Sequence, residues 1–373
     1  MQYLFLTGII LSAFQSFVLF SKNDKTISDY LLAYWFCFSG IPLLSYYLVY
    51  SQQYLKYPSL TVAGMALPLA AGPLLFLYTK YQTTPILFNK NDLLHFIPVI
   101  IVSFFFIDFY FMPFETRSTL LKNGGKEYEV QGLIKLIAIY ISGLVYIPWT
   151  LLKLLKYKKN LNNQFSNTEK INFNWLLYQI VGIAIVWIVI IFIQDDRFIF
   201  SSVSSFIIWM SYFGNKQVNV FGKNSILIEE NSIPEIQLEL LNENFETTKY
   251  LRSTLDEKTV SEIFRNLLNV LDEKKIYNNP ELTLSDFAKL VGVHPNHLSQ
   301  VINSQTKKSF YDLINERRIQ DFILRVSLSE NKQYTLVSLA FDCGFNSKAS
   351  FNRNFKKITG KTPSDYLKSL KLE

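Results

Sequence analysis

The stretch Leu336-Val337-Ser338-Leu339-Ala340-Phe341-Asp342-Cys343-Gly344-Phe345-Asn346-Ser347-Lys348-Ala349-Ser350-Phe351-Asn352-Arg353-Asn354-Phe355-Lys356-Lys357-Ile358 decides how the C-terminal part of this chain is read. Leu336–Phe345 reads as a short helix and a turn, and Asn346–Ile358 as a second helix. Phe351, Phe355 and Ile358 recur at steps of four and three, which places them together toward a core. Lys348, Ser350, Asn352, Arg353 and Lys356 remain for the opposite face. Thr359-Gly360-Lys361-Thr362-Pro363 ends that helix, and Ser364–Leu370 starts a closing one. A short helix, a tight turn and a second helix with a basic, hydrogen-bonding face suit base edges in a DNA major groove.

The same arrangement occurs once more upstream. From Asp256, the residues Val260, Ile263, Phe264, Leu267, Leu268 and Leu271 recur at helical steps and predict an amphipathic helix. Thr283 or Ser285 caps a short helix through Leu290. Gly292 lies at the turn, where a residue without Cβ allows positive φ. The following helix turns Leu298, Val301 and Ile302 inward. Its other face carries His294, Asn296, His297, Ser299, Gln300 and Asn303. A longer helix, Phe310–Val326, joins the two halves and contains Arg317, Arg318 and Arg325. Residues 283–371 hold 14 Lys/Arg against 7 Asp/Glu, a basic module suited to phosphates.

Three runs in order resemble the signature of the AraC/XylS family of transcription regulators. They are Ala340-Phe341-Asp342-Cys343-Gly344-Phe345, then Phe351-Asn352-Arg353-Asn354-Phe355-Lys356-Lys357, then Gly360-Lys361-Thr362-Pro363-Ser364-Asp365-Tyr366-Leu367. The resemblance covers roughly residues 260–370. It departs at Ala349-Ser350, where the family more usually has a Ser-Tyr pair before the phenylalanine. It implies two helix-turn-helix units, joined by a long helix, with recognition helices in successive major-groove segments. On that basis Asn296, His297, Gln300, Asn346, Lys348, Asn352 and Arg353 are the candidates for bases or groove. Lys307, Lys356 and Lys357 are the candidates for phosphates.

The rest of the chain was shaped by a different solvent. Of the 373 residues 49% are hydrophobic, 16% aromatic and only 18% charged, against about 25% charged in an average soluble protein. This excludes a disordered chain. Residues 1–213 carry 15 Lys/Arg and 10 Asp/Glu, and the shorter remainder carries 22 and 20. Seven apolar runs precede residue 214: Tyr3–Phe20, Tyr30–Tyr50, Leu60–Thr79, Leu93–Met112, Gly132–Leu152, Phe173–Ile193 and Phe198–Phe213. Most have the roughly 20 residues that a helix needs to cross a bilayer. The first has no basic residue before Ser21 and no clear cleavage pattern, so it reads as an uncleaved span. Pro68, Pro73, Pro98 and Pro148 fall within runs, where neighbouring helices satisfy the freed backbone groups.

With seven spans and the tail inside, the inner segments hold 11 Lys/Arg and the outer loops five. This bias favours an outside N-terminus and a cytoplasmic C-terminus at the inner membrane. Lys153, Lys156, Lys158 and Lys159 are the strongest single signal. Ionisable groups inside spans often mark a site. Asp108 and Lys135 are therefore expected to pair in an outward-facing sensor pocket rimmed by Asp195, Asp196 and Arg197. His95 reads as a satisfied interface residue.

The expected organisation is all-α: a seven-helix transmembrane sensor domain at 1–213, a cytoplasmic linker at 214–255 broken by Gly214, Gly222 and Pro234, and a double helix-turn-helix DNA-binding domain at 256–373. Expected partners are double-stranded promoter DNA, the lipid bilayer and an unknown small-molecule or membrane signal, with RNA polymerase and a second copy of the chain as further candidates. His294-x-x-His297 has ligand spacing but lacks the carboxylates or thiols that complete a metal site. No phosphate loop, dinucleotide fingerprint or nucleophile elbow occurs, so neither cofactor nor catalysis is expected. Cys37 and Cys343 are too few and too distant for a disulfide framework. The alternative is a membrane receptor or transporter whose helical tail binds proteins.

Overall fold

Apart from one isolated antiparallel bridge between Phe165 and Thr283, every regular element among the described residues is helical. The computed structural model describes residues 1–83, 87–167, 174–224 and 256–370. They divide into two compact units, one drawn from Met1–Leu155 and Phe173–Asn242, the other from Lys156–Asn172 and Glu243–Glu373. The expected boundary near residue 213 thus misses one exchange: the segment after residue 155 groups with the C-terminal helices. From residue 225 on, the expected linker lies outside the described residues.

The first unit contains α1 (Gln2–Ser21), α2 (Ile27–Tyr50), α3 (Pro58–Val62), α4 (Ala71–Thr83), α5 (Ile97–Phe104), α6 (Ile107–Phe111), α7 (Phe114–Lys122), α8 (Glu129–Gln164) as far as Leu155, α9 (Asn174–Ile188) and α10 (Asp196–Asn224). Thr26 and Asp29 form a capping box that starts α2, and Lys22 pairs with Asp29 at 2.7 Å. Small residues let backbones approach. At Gly8 an added Cβ would meet Leu43 and Ser204, and at Gly143 it would collide with the Trp187 indole. That indole donates to the Ile139 carbonyl at 3.2 Å. Large apolar side chains also lie on the outside: Tyr3, Ile10, Phe17, Phe111, Leu144 and Phe192 are all exposed. In water such a surface would mark aggregation or a partner; against hydrocarbon it costs nothing.

Among the described residues, five stretches are long and apolar enough to cross a membrane: Gln2–Ser21, Ile27–Tyr50, Pro58–Thr83, Lys126–Gln164 and Asn174–Ile193. The fourth expected run is not one helix. It is a 3-10 turn at Lys90–Phe96 followed by α5 and α6. Pro98 sits in the first turn of α5, where its missing N–H is harmless, so it starts a helix rather than bending one. Eight residues rise only about 12 Å. The seventh run lies inside α10, where five serines and the opening Asp196-Arg197 dilute the apolar character. That helix also continues through Gly214 and Gly222, which the sequence reading took as breaks. His95 meets the Tyr146 hydroxyl at 2.8 Å, a satisfied side chain as expected.

The second unit contains α11 (Glu257–Lys274), α12 (Leu284–Val291), α13 (Pro295–Thr306), α14 (Phe310–Val326), α15 (Leu336–Asp342), α16 (Lys348–Thr359) and α17 (Pro363–Leu370). Two small cores hold it. One gathers Leu267 and Leu271 of α11 with Phe287, Leu298, Val301, Ile302 and Ile314. The other gathers Ile319 and Phe322 with Leu339, Phe345, Phe351 and Phe355. Each buried aliphatic or aromatic side chain stabilises by roughly 1.5–3 kcal/mol. Helix α14 contributes to both, with Phe310, Leu313 and Ile314 in the first and Ile319 and Phe322 in the second.

Candidate nucleic-acid interface

The first helix pair is built by caps. Thr283 accepts from the Asp286 backbone N–H at 3.2 Å, and the Asp286 carboxylate accepts from Thr283, so Thr283 rather than Ser285 begins α12. Gly292 ends it at φ +79°, the left-handed region that favours glycine. His294 then caps α13: its Nδ1 accepts from the Asn296 N–H at 3.2 Å, and Pro295 occupies the first turn. Leu298, Val301 and Ile302 are fully buried, as the periodicity requires. Asn296 and Gln300 are exposed and His297 is half-buried. Asn303 donates to the Ser299 carbonyl at 2.9 Å, which occupies part of its hydrogen-bonding capacity. Lys307 is exposed at the helix end, itself left-handed at φ +57°.

The second pair follows the same logic. Thr335 caps α15 through the Ser338 N–H at 3.1 Å, and Ser347 caps α16 through the Ser350 N–H at 3.0 Å. Between them the chain turns at Gly344, φ +92°. Phe351 and Phe355 are buried, but Ile358 is 38% exposed, so the core-facing trio of the sequence reading is only a pair. Ser350 is buried and drops out as a DNA contact. Asn346, Lys348, Asn352, Arg353, Lys356 and Lys357 are exposed. Lys348, Asn352, Arg353 and Lys356 line one open groove of about 580 Å³ together with Leu336 and Thr362. Lys357 points elsewhere and pairs with Asp312 of α14 at 2.6 Å.

Sequence reasoning missed the interior polar groups that hold the two pairs to α14. Asn354, on the recognition-type helix α16, is buried and donates to the Tyr311 hydroxyl at 2.9 Å. Arg318 is buried on α14, and burial pushes its guanidinium down to about 10, still a cation at neutral pH. Neither position breaks the helical pattern, so the only available signal was polarity at a core-facing position. Asp321, also buried, pairs with Arg325 at 2.7 Å and Lys275 at 3.3 Å.

The five residues expected to form a sensor pocket divide among several partners. Asp108 accepts from the Phe109 N–H at 2.9 Å and lies beside the Tyr128 phenol. Lys135 lies within electrostatic reach of the Asp196 carboxylate. Asp195 and Arg197 pair with each other at 2.7 Å on the exposed surface. Of the five, only Lys135 lines the cavity of about 280 Å³ bordered by Phe106, Phe109, Leu120 and Tyr128.

Residues 287–369 match the family model of the helix-turn-helix domain. The chain is also 31% identical over 97 residues to uncharacterized HTH-type transcriptional regulators of Staphylococcus aureus strain COL and strain MSSA476. Those residues make up 26% of this chain and 13% of the relatives. The chain thus spans a small fraction of the curated relatives that it matches. No solved structure matches the chain. The family match spans α13 through α16, and that part of this chain is a helix-turn-helix domain.

Proposed function

We propose that this chain is a membrane-bound, one-component transcription regulator. Its two helix pairs act as two helix-turn-helix units that bind promoter DNA sequence-specifically, and its apolar helices hold it in the inner membrane and receive a signal. The observation that carries this reading is α16: Phe351 and Phe355 fix one face in the core, and Lys348, Asn352, Arg353 and Lys356 share the opposite, open groove. Arginine and asparagine have the donor geometry for guanine and adenine edges, and lysines neutralise phosphates. Helix α13 offers Asn296, His297 and Gln300 for a second groove segment.

Orientation has its own support. Lys156, Lys158 and Lys159 belong to the segment that groups with the helix-turn-helix helices, which supports a cytoplasmic C-terminal end of α8. The lysine bias of the loops points the same way. Signal could act only by its differential affinity for two states of the chain. RNA polymerase and a second copy of the chain are the partners such a regulator would meet.

The test is selection from a random duplex library by the full chain in lipid nanodiscs, at two salt concentrations. Selective binding that weakens steeply with salt is expected, since each neutralised phosphate releases counterions. Salt-insensitive binding or no selection would overturn the reading in favour of a protein-interaction tail.

A further inference from the structure

Arg318 is 1% exposed, and oxygens of neutral groups surround its guanidinium. Nε donates to the Tyr277 carbonyl at 2.7 Å, and Nη2 donates to the Asn279 carbonyl at 2.8 Å. Nη1 donates to the Asn315 side chain at 3.3 Å. The remaining two bonds go to Ser166: Nη2 to its Oγ at 3.1 Å and Nη1 to its carbonyl at 3.3 Å. A buried cation is tolerated only when its donors are met, so the Ser166 oxygens are part of what permits Arg318 to be there.

Ser166 is itself 1% exposed and commits every polar atom to this unit. Its N–H and Oγ both donate to the Leu282 carbonyl, at 3.2 and 2.7 Å. Its carbonyl also accepts from the Asn315 amide at 3.0 Å. Phe165 adds a backbone bridge to Thr283, the cap of α12. Ser166 lies 152 residues before Arg318, outside the 287–369 stretch that matches the helix-turn-helix family. It follows by two residues the end of α8, which runs from Glu129 to Gln164.

The position of the cage matters. Tyr277 and Asn279 lead into the first helix pair, and Asn315 and Arg318 lie on the linking helix. On the far side Arg318 stands over the Phe345 ring at 5.8 Å, in the turn of the second pair. The cage thus touches both pairs, beside the two cores through which they pack on α14. We propose that Phe165–Asn167 is an intramolecular latch whose docking surface is this cage. With Ser166 docked, the two recognition-type helices are held at one spacing, competent for DNA. With Ser166 withdrawn by a displacement of α8, Arg318 loses two acceptors and the spacing relaxes. The proposal rests on the DNA-binding reading above and names the route by which the apolar helices regulate it.

The experiment uses the full chain in lipid nanodiscs, with duplexes selected by the wild-type chain and derivatives carrying only one half of the selected site. Ser166→Trp is expected to raise amide hydrogen exchange at Tyr277–Leu282 and to weaken two-half duplexes about tenfold, because preorganisation is lost. One-half duplexes should bind as before, and altered half-site spacings should become tolerated. Ser166→Ala, which removes one acceptor and cannot crowd the cage, should weaken two-half duplexes about threefold and decides the matter if the Trp variant does not fold. Unchanged affinity and spacing tolerance in the folded variants would overturn the latch. So would an equal loss on one-half and two-half duplexes, which would mark plain destabilisation. A wild-type chain that selected no duplex would instead sink the DNA reading, and the latch with it.

Discussion

The side-chain amide of Asn354 donates to the Tyr311 hydroxyl at 2.9 Å, and both residues are buried. One belongs to the helix that would enter the groove and the other to the helix that joins the two pairs. Tyr311→Phe removes the acceptor while leaving Asn354 its bond to the Ser350 carbonyl at 3.0 Å. A buried hydrogen bond of this kind contributes about 1 kcal/mol. We therefore expect α16 amides to lose roughly that much protection against hydrogen exchange, with α13 unaffected. Equal protection in the variant would show that the bond does not position α16.

Lys356 and Lys357 are neighbours with different tasks. Lys357 is engaged by Asp312 at 2.6 Å, whereas Lys356 lines the groove. Lys356→Ala should reduce the slope of log affinity against log salt by about one, the signature of one lost phosphate contact. Lys357→Ala should change the slope less, because the lysine must first leave its carboxylate. Equal slopes for the two variants would contradict this division.

Three glycines adopt positive φ in this unit, and their substitutions should differ in severity. At Gly292 (φ +79°) and Gly360 (φ +76°) an added Cβ meets nothing within 4 Å. Alanine there should cost only the left-handed penalty, about 1–2 kcal/mol. At Gly344 (φ +92°) the Cβ would collide with the Tyr277 carbonyl oxygen and reach the Arg318 Nε at 2.9 Å. Gly344→Ala should therefore destabilise more than the other two, read as hydrogen exchange across α15 and α16. Equal losses at all three positions would refute the steric account.

Cys343 is fully buried, and burial pushes its thiol up to about 12. At pH 8 only about one part in ten thousand would be thiolate, the reactive form. Iodoacetamide should leave Cys343 unmodified in the native chain and alkylate it in guanidinium. Because the folded value is raised, the neutral thiol contributes stability below the ordinary value of 9.0, lost as pH rises toward about 12. Cys343→Ser should flatten that alkaline loss. Rapid native labelling at pH 8 would refute the burial argument.

Much of the C-terminal fold was legible because it is local. The cap at Thr283, the turns at Gly292 and Gly344, and the steps of Leu298, Val301 and Ile302 act over one helical turn, whereas the caps at Thr335 and Ser347 came only with the structure. The long joining helix was read as Phe310–Val326, and those are its ends. Seven apolar runs were equally plain, but run length does not say where a helix breaks. Pro98 at the start of α5, and not the apolar content of Leu93–Met112, decided that element.

What the sequence by itself determined is therefore helix type, the limits of the long joining helix, the two core faces and the set of polar residues offered for DNA. Only the tertiary structure decided which of them turn inward or pair with a neighbour. Ser350 and Asn354 turn inward, and Lys357 is taken by Asp312. The pairing of Ser166 with Arg318 joins positions 152 residues apart. Helical periodicity reports on neighbours three and four positions away, whereas a buried guanidinium takes whatever oxygens the packed chain brings within about 3 Å of it.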